Sequence, residues 1–304
     1  MPAPVIHLGP DDDDDLRSAI EAGGGRLGGL EEAAGLVWIG HDPDRLPELP
    51  ESVRWVQLPS AGVEQWVRAG TVGGDRTFTS ATGAYGRPVA EHALALVLAA
   101  DKGLPAFARA RGWDRDGRAR TRALEGATVA IVGAGGIGRA LIGLLEPFGA
   151  QVLAVTRRGH DVPGAARTYA ATDLAEVWPE ARHVVIAAPA TDGTRRLVGA
   201  GELAAMRDDA WLINVARGSL VDTEALVNAL REHAIAGAAL DVTDPEPLAD
   251  DHPLWELPNA LITPHVGTPL EAERLRFAER VRLNVRRFAA GEPLEGVIDA
   301  GRGY

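Results

Sequence analysis

An arginine, a glutamate and a histidine, each just beyond a separate apolar run, are the side chains in this sequence best suited to act together. Arg217 lies in INVARGSLVD, Glu246 in ALDVTDPEPL and His265 in LITPHVG. A guanidinium can hold a carboxylate by two parallel hydrogen bonds and so fix a neighbouring carbonyl for attack. An imidazole can give a proton to the oxygen that becomes an alkoxide as hydride arrives, and an adjacent carboxylate favours its charged form. Together these groups would complete a carbonyl reduction. Taken singly, a surface arginine, a helix-capping glutamate and a structural histidine are each common.

A fourth feature joins them. In TVAIVGAGGIG, the apolar run Val129 to Val132 reads as a buried strand that runs into Gly133, Gly135 and Gly138 before the helical pattern RALIGLLEPFG. The first glycine permits a tight turn and the second lets backbone approach a pyrophosphate. The third lets the helix pack close on the strand, so that phosphates meet the helix N-terminus. Glycine is abundant, 36 residues in 304, so the spacing alone says little. The strand before it and the helix after it give the motif its weight.

Beyond the turn, QVLAVT, HVVIAAP, AWLINV, IAGAALDV and ALITP are strand-like and alternate with helical patterns such as TEALVNALREH. That alternation indicates a parallel sheet covered on both faces, a Rossmann-type domain. Ligands of such sheets bind beyond the carboxyl ends of the strands, where Arg217, Glu246 and His265 all fall. The N-terminal stretch offers a second α/β unit. It has strand-like runs from Pro4 to Gly9, near Trp38 and near Trp55, with the helical LRSAIEAGG after the first. Asp11 to Asp15 read as a solvated helix start favoured by the helix dipole, since the turn glycine and distal glutamate of a calcium loop are missing. Ser60, Ala61 and Gly62 precede the helix-like VEQWVRAG and are either amides offered to an anion or an ordinary N-cap. Ser60 is no hydrolase nucleophile, because LPSAG has leucine where a nucleophile elbow needs its first glycine. RPVAEHALALVLAADKG reads as a helix buried between domains, with His92 as a packed core histidine. LPAFARARGWDRDGRARTRALEG lacks a core pattern and reads as a domain connection. A final amphipathic helix over roughly Leu270 to Ala290 precedes GVIDAGRGY, which could return to the first domain.

Composition bounds the function. The length, with 46% hydrophobic and 24% charged residues, suits about two globular domains. The longest apolar run, Ala93 to Ala100, is far short of the roughly 18 residues of a membrane span, and no signal peptide is visible, so the expected location is cytoplasmic. The absence of cysteine removes disulfides, thiolate metal ligands and cysteine nucleophiles, and no metal site is expected. Lys102 is the only lysine, which leaves little for Schiff-base chemistry. A net charge of −12 repels nucleic acid, and an anionic substrate would need a specific arginine.

The segments VGAGGIG, INVARGSLVD, ALDVTDPEPL and LITPHVG, in that order, resemble the D-isomer-specific 2-hydroxyacid dehydrogenases, and the resemblance extends through PSAGVEQW and RPVAEHALALVLA. It implies two Rossmann-like domains with parallel sheets, the substrate domain discontinuous, a cleft between them and a homodimer. The expected division is 1–98 with 285–304 as the substrate domain and 99–284 as the dinucleotide domain. By the same resemblance Arg217 would orient substrate, His265 would be the general acid or base and Glu246 its partner, while the amides of Ala61 and Gly62 would meet the substrate carboxylate. Cofactor contacts are implied at Gly133, Gly135, Gly136, Ile137, Gly138, Thr156, Arg157, Arg158, Ala188, Pro189, Thr194, Val215, Ala216, Asp241, His265 and Gly267, with Asp241 near the nicotinamide amide. Members that prefer NAD carry an acid after the second strand of this domain, where Thr156, Arg157 and Arg158 stand here. NADP(H) is therefore expected over NAD(H), which stays possible. Together with the closing RGY, this points to the glyoxylate and hydroxypyruvate reductase branch and a small 2-keto acid. Phosphoglycerate or phosphite oxidation and a corepressor-like dinucleotide sensor remain alternatives.

Overall fold

Short apolar runs that each lead into a turn become parallel strands in a computed structural model of the chain, which describes residues 2–301. The RGY segment falls at 302–304, outside the described residues. From the N-terminus come β1 (Val5–Gly9), α1 (Asp14–Ala22), β2 (Arg26–Leu27), β3 (Gly35–Trp38), β4 (Trp55–Gln57), α2 (Glu64–Arg68) and β5 (Thr77–Thr79). These strands form one parallel sheet in the order β2-β1-β3-β4-β5. The aspartate run starts α1: the Asp13 side chain accepts from the Leu16 amide at 2.9 Å, and Asp14 and Asp15 occupy the first turn.

Next come α3 (Gly86–Asp101), α4 (Leu104–Arg109), β6 (Thr128–Val132), α5 (Gly136–Leu145), β7 (Gln151–Thr156), β8 (Arg167–Ala170) and α6 (Leu174–Val177). They are followed by β9 (His183–Ile186), α7 (Ala200–Ala205), β10 (Trp211–Asn214), α8 (Thr223–Arg231), β11 (Gly237–Leu240), β12 (Ala260–Ile262) and α9 (Leu270–Ala290). The second sheet is parallel throughout, in the order β12-β11-β10-β9-β6-β7-β8. Because β6 pairs with both β7 and β9, the strand order reverses there. The crevice beyond the carboxyl ends of β6 and β9 is the switch point at which such sheets take ligands.

Alternation along β6 explains why its run is apolar at every position. Val129 and Ile131 pack on one face with residues of α3 and α5, while Ala130 and Val132 pack on the other with residues of α6, α7 and α8. The strand β8 and helix α4 carry no pattern legible in the sequence. RTYA is a partly exposed edge strand, and α4 has six residues within the segment read as a connection.

The chain forms two units, one from residues up to Tyr85 and from Pro269 onward, the other Gly86–Thr268. The expected boundaries at 98/99 and 284/285 cut α3 and α9, and the structure keeps both helices whole. Gly86 opens α3 against the backbone of Gly136 at the start of α5, and α9 lies along α1. Dividing either helix would separate its apolar face from its partner. In the first unit the segment after α9 returns to the sheet edge, where the Ile298 amide donates to the Phe78 carbonyl at 2.9 Å.

A Cβ at Gly86 would stand 2.8 Å from the carbonyl carbon and oxygen of Gly136, with no flexible side chain to yield. We expect Gly86→Ala to lower stability by about 1–3 kcal/mol through overpacking. Gly143→Ala in α5, where a Cβ meets nothing within 4 Å, should be neutral or stabilising by up to about 1 kcal/mol. Denaturant midpoints measure both, and equal shifts would contradict close α3–α5 packing.

Candidate active site

At the switch point each glycine of the turn answers a different demand. Gly133 has φ +105°, and a Cβ there would lie 2.5 Å from the Ala188 amide nitrogen, so the loop beyond β9 rests against it. Gly138 lets α5 close on the strand, since its Cβ would stand 2.4 Å from the Gly133 carbonyl oxygen. Gly135 faces open space and is the N-cap of α5, without a side chain to close the first amides of the helix, which Gly136 and Ile137 begin. Beyond β7, the Thr156 hydroxyl is buried and has no hydrogen-bond partner among the described residues, and Arg157 and Arg158 follow it at the surface. An uncapped helix start, open space at the second glycine and an orphaned hydroxyl fit a dinucleotide, with pyrophosphate at the helix N-terminus. The hydroxyl of Thr194 already locks its own loop, donating to the Pro189 carbonyl at 2.8 Å and accepting from the Thr191 amide at 2.8 Å.

The Arg217 loop is set by a buried asparagine that ends β10. Asn214 donates to the Arg217 carbonyl at 2.8 Å and accepts from the Ala216 amide at 3.1 Å, which pins the buried Val215 and Ala216 between them. Gly218 comes next because nothing larger fits: a Cβ would overlap the Thr243 carbonyl at 1.9 Å. The loop beyond β10 therefore rests on the loop beyond β11, three residues before Glu246. One Glu246 oxygen, Oε2, lies 3.4 Å from the Thr243 amide, and the other, Oε1, meets His265 Nδ1 at 2.7 Å. An ionised carboxylate can only accept, so Nδ1 carries the proton and Nε2 is the nitrogen left to exchange one. Both side chains are about half exposed, at 51% and 42%. So exposed a pair adds at most about 1 kcal/mol to stability, and its placement at the rim has to be explained by what it can reach.

Asp241, directly after β11, organises the histidine turn. It is 3% exposed. Its Oδ1 accepts from the Thr263 hydroxyl at 2.6 Å and the Val266 amide at 2.9 Å, with His92 Nε2 at 3.2 Å, and its Oδ2 accepts from the Gly267 amide at 3.0 Å. A Cβ at Gly267 would stand 2.9 Å from that Oδ2. Burial by itself raises the carboxyl, but the hydrogen bonds of His92, Thr263 and the Val266 amide outweigh it and bring it down to about 2. His265 sits inside this bracket with φ +53°, its amide donating to the carbonyls of Asp241 at 2.8 Å and Thr263 at 3.0 Å.

Sequence reading missed Asn214, Gly218, Thr263 and His92 as parts of this arrangement. His92, read as a packed core histidine, instead bonds to Thr263 at 3.0 Å. The available signal was a histidine at the head of the apolar run Ala93 to Ala100, since a polar group requires a partner when buried. In the first unit the carbonyls of Pro59, Ser60 and Ala61 accept from the Tyr85 hydroxyl, the Ala81 amide and the Thr82 hydroxyl, which fixes the segment that carries Ala61 and Gly62. Ser60 is not a helix cap, since α2 begins after Val63. Trp38, Trp55 and Tyr85 are buried in the first unit, and Trp113 is 93% exposed.

The acid behaviour of Asp241 can be measured. Its folded value of about 2 lies below the ordinary 3.8, so its contribution is complete above about pH 4 and fades as pH falls toward 2. We expect Asp241→Asn to cost on the order of 2 kcal/mol at pH 7 and to flatten the loss of stability between about pH 4 and 2. Urea unfolding at several pH values reads this directly, and parallel curves for the two proteins would refute it.

Residues 88–267, nearly the whole second unit, match the sequence profile of the NAD binding domain of D-isomer specific 2-hydroxyacid dehydrogenases. An uncharacterized Corynebacterium melassecola protein is 39% identical over 292 residues, covering 94% of this chain and 96% of that protein. The glyoxylate reductase of Thermococcus gammatolerans is 35% identical over 212 residues, 67% of this chain and 63% of that enzyme. Among solved structures, the D-isomer specific 2-hydroxyacid dehydrogenase of Xanthobacter autotrophicus Py2, in complex with NADPH and MES, superposes with a TM-score of 0.84 at 28% identity, covering 99% of this chain and 100% of that one. With its glycine turn at the switch point of a seven-stranded parallel sheet, the chain belongs to the D-isomer specific 2-hydroxyacid dehydrogenases, a family of oxidoreductases.

Proposed function

We propose that the protein reduces a small 2-keto acid of the glyoxylate or hydroxypyruvate type to the D-2-hydroxy acid, with NADPH in preference to NADH. The observation that carries this reading is the half-exposed Glu246–His265 pair, 2.7 Å apart, beyond the carboxyl ends of the sheet that bears the glycine turn. The nicotinamide, when bound, supplies hydride to the carbonyl carbon. His265 delivers the matching proton from Nε2 to the carbonyl oxygen, and Glu246 holds Nδ1–H and stabilises the imidazolium. Arg217 orients the substrate carboxylate through its guanidinium. Within the first unit, the amides of Ala61 and Gly62 are proposed as carboxylate donors.

Gly133, Gly135, Gly136, Ile137 and Gly138 would hold the pyrophosphate, and the loops at Ala188–Pro189 and Val215–Ala216 would flank the cofactor. The Thr156 hydroxyl with Arg157 and Arg158 would receive a 2′-phosphate, a role that an acid at this place would oppose. An NADPH-bound relative at 28% identity supports the cofactor preference, and a glyoxylate reductase at 35% identity supports the substrate class. A homodimer belongs to the same reading.

Steady-state assays with glyoxylate, hydroxypyruvate and pyruvate against both cofactors test the proposal, and absence of turnover with every 2-keto acid would defeat it. His265→Gln should lower kcat by about 10²–10⁴-fold while leaving the thermal midpoint close to wild type, because the ring is half exposed. Replacing Arg157 and Arg158 together by serine should raise the KM for NADPH by at least about tenfold and change that for NADH little. Equal changes for the two cofactors would remove the arginines from that role.

A further inference from the structure

We propose that His92 is a positioning residue for His265, acting from α3 through Thr263 and Asp241. The consequence for turnover rests on the function proposed above, whereas the geometry does not. His92 Nε2 lies 3.0 Å from Thr263 Oγ1 and 3.2 Å from Asp241 Oδ1, although 171 residues separate His92 from Thr263. The Thr263 hydroxyl spends its single proton on Asp241 Oδ1 at 2.6 Å, so toward the imidazole its oxygen can only accept. The ionised carboxylate can also only accept. Nε2 must therefore carry the proton and divide it between two acceptors.

That N–H holds the Thr263 hydroxyl in the rotamer that points at Asp241. Asp241 in turn holds the amides of Val266 and Gly267, and its own carbonyl accepts from the His265 amide at 2.8 Å. His265 needs this support, because φ +53° is a conformation that costs a non-glycine residue on the order of 1 kcal/mol or more and persists only when neighbours impose it. Gly267 leaves room for the contact: a Cβ there would meet the His92 ring at 3.6 Å as well as the Asp241 carboxylate at 2.9 Å. Without the His92 donor, Thr263 is free to turn away, and the residue two positions on loses part of the frame that aims its ring at Glu246.

His92→Leu removes the N–H at similar volume, and His92→Gln can restore a donor near the same place. We expect His92→Leu to lower kcat by about 10- to 100-fold, as a small misplacement of a reacting group does, with the KM for NADPH changed less than about twofold, and His92→Gln to recover most of the loss. In a His265→Gln background, His92→Leu should change the residual rate by less than about twofold, because a residue that acts through another adds nothing once that other is gone. A readout without substrate is the His265 ring resonance in spectra of ¹³C-histidine-labelled protein, identified by its loss in His265→Gln. It should move in His92→Leu and return in His92→Gln. Thr263→Val, which removes the hydroxyl at constant shape, should move it likewise and serves if His92→Leu does not fold. An unmoved resonance in the folded variants, or losses that multiply in the double variant, would overturn the proposal. A moved resonance in a protein that turns over no 2-keto acid would uphold the positioning role and defeat the function proposed above.

Discussion

The carboxylate of Asp241 receives hydrogen bonds from a helix histidine, a threonine hydroxyl and two successive loop amides, and the rim of the second sheet is arranged around it. A carboxylate at 3% exposure is tolerable only when donors replace the water it has lost, and here they do so well enough to keep it ionised far into acid. The geometry of the 263–267 turn follows from that constraint. Two amides on one carboxylate fix the backbone direction after His265, and the Asp241 carbonyl fixes it before. The imidazole is thereby presented to Glu246 by a rigid frame, although the ring itself is half in solvent.

A buried holder behind a working side chain recurs one strand away, where Arg217 is itself only partly exposed. Asn214 is fully buried and clamps the loop that carries Arg217, as Asp241 clamps the loop that carries His265. Gly218 then presses the arginine loop onto the backbone of Thr243, so the loops beyond β10 and β11 are a single stacked layer. Parallel strands make this possible, because neighbouring strands end at the same edge and their loops lie side by side. Rigid first contacts supported by buried second partners are what precise proton transfer requires, since reacting groups have to be held to within fractions of an ångström.

At the other end of the crevice the constraint is an absence of side chain. Gly133 and Gly138 are closed to a Cβ, by the loop beyond β9 and by the carbonyl of Gly133 itself, whereas at Gly135 a Cβ would meet nothing within 4 Å. Only the middle position is left open, which accords with a backbone surface meant for a ligand.

Much of this was legible in the linear chain. The apolar runs, the glycine spacing and the ordered segments around Arg217, Glu246 and His265 determined the strands, the switch-point turn and the family, because burial on both sheet faces and tight turns impose their demands on adjacent residues. The final helix, expected over Leu270 to Ala290, is found there. Left to the tertiary structure were the pairings between distant residues and the ends of the units. β8 is an edge strand with too few buried positions to leave a period, and the unit boundaries lie at helix ends because whole helices, not residues, choose their packing partners. His92 is the plainest case. On its own helix it merely precedes the apolar run Ala93 to Ala100, and only when the fold carries Thr263 and Asp241 to within hydrogen-bond reach does it acquire acceptors, because a hydrogen bond depends on position in space and leaves no period in sequence.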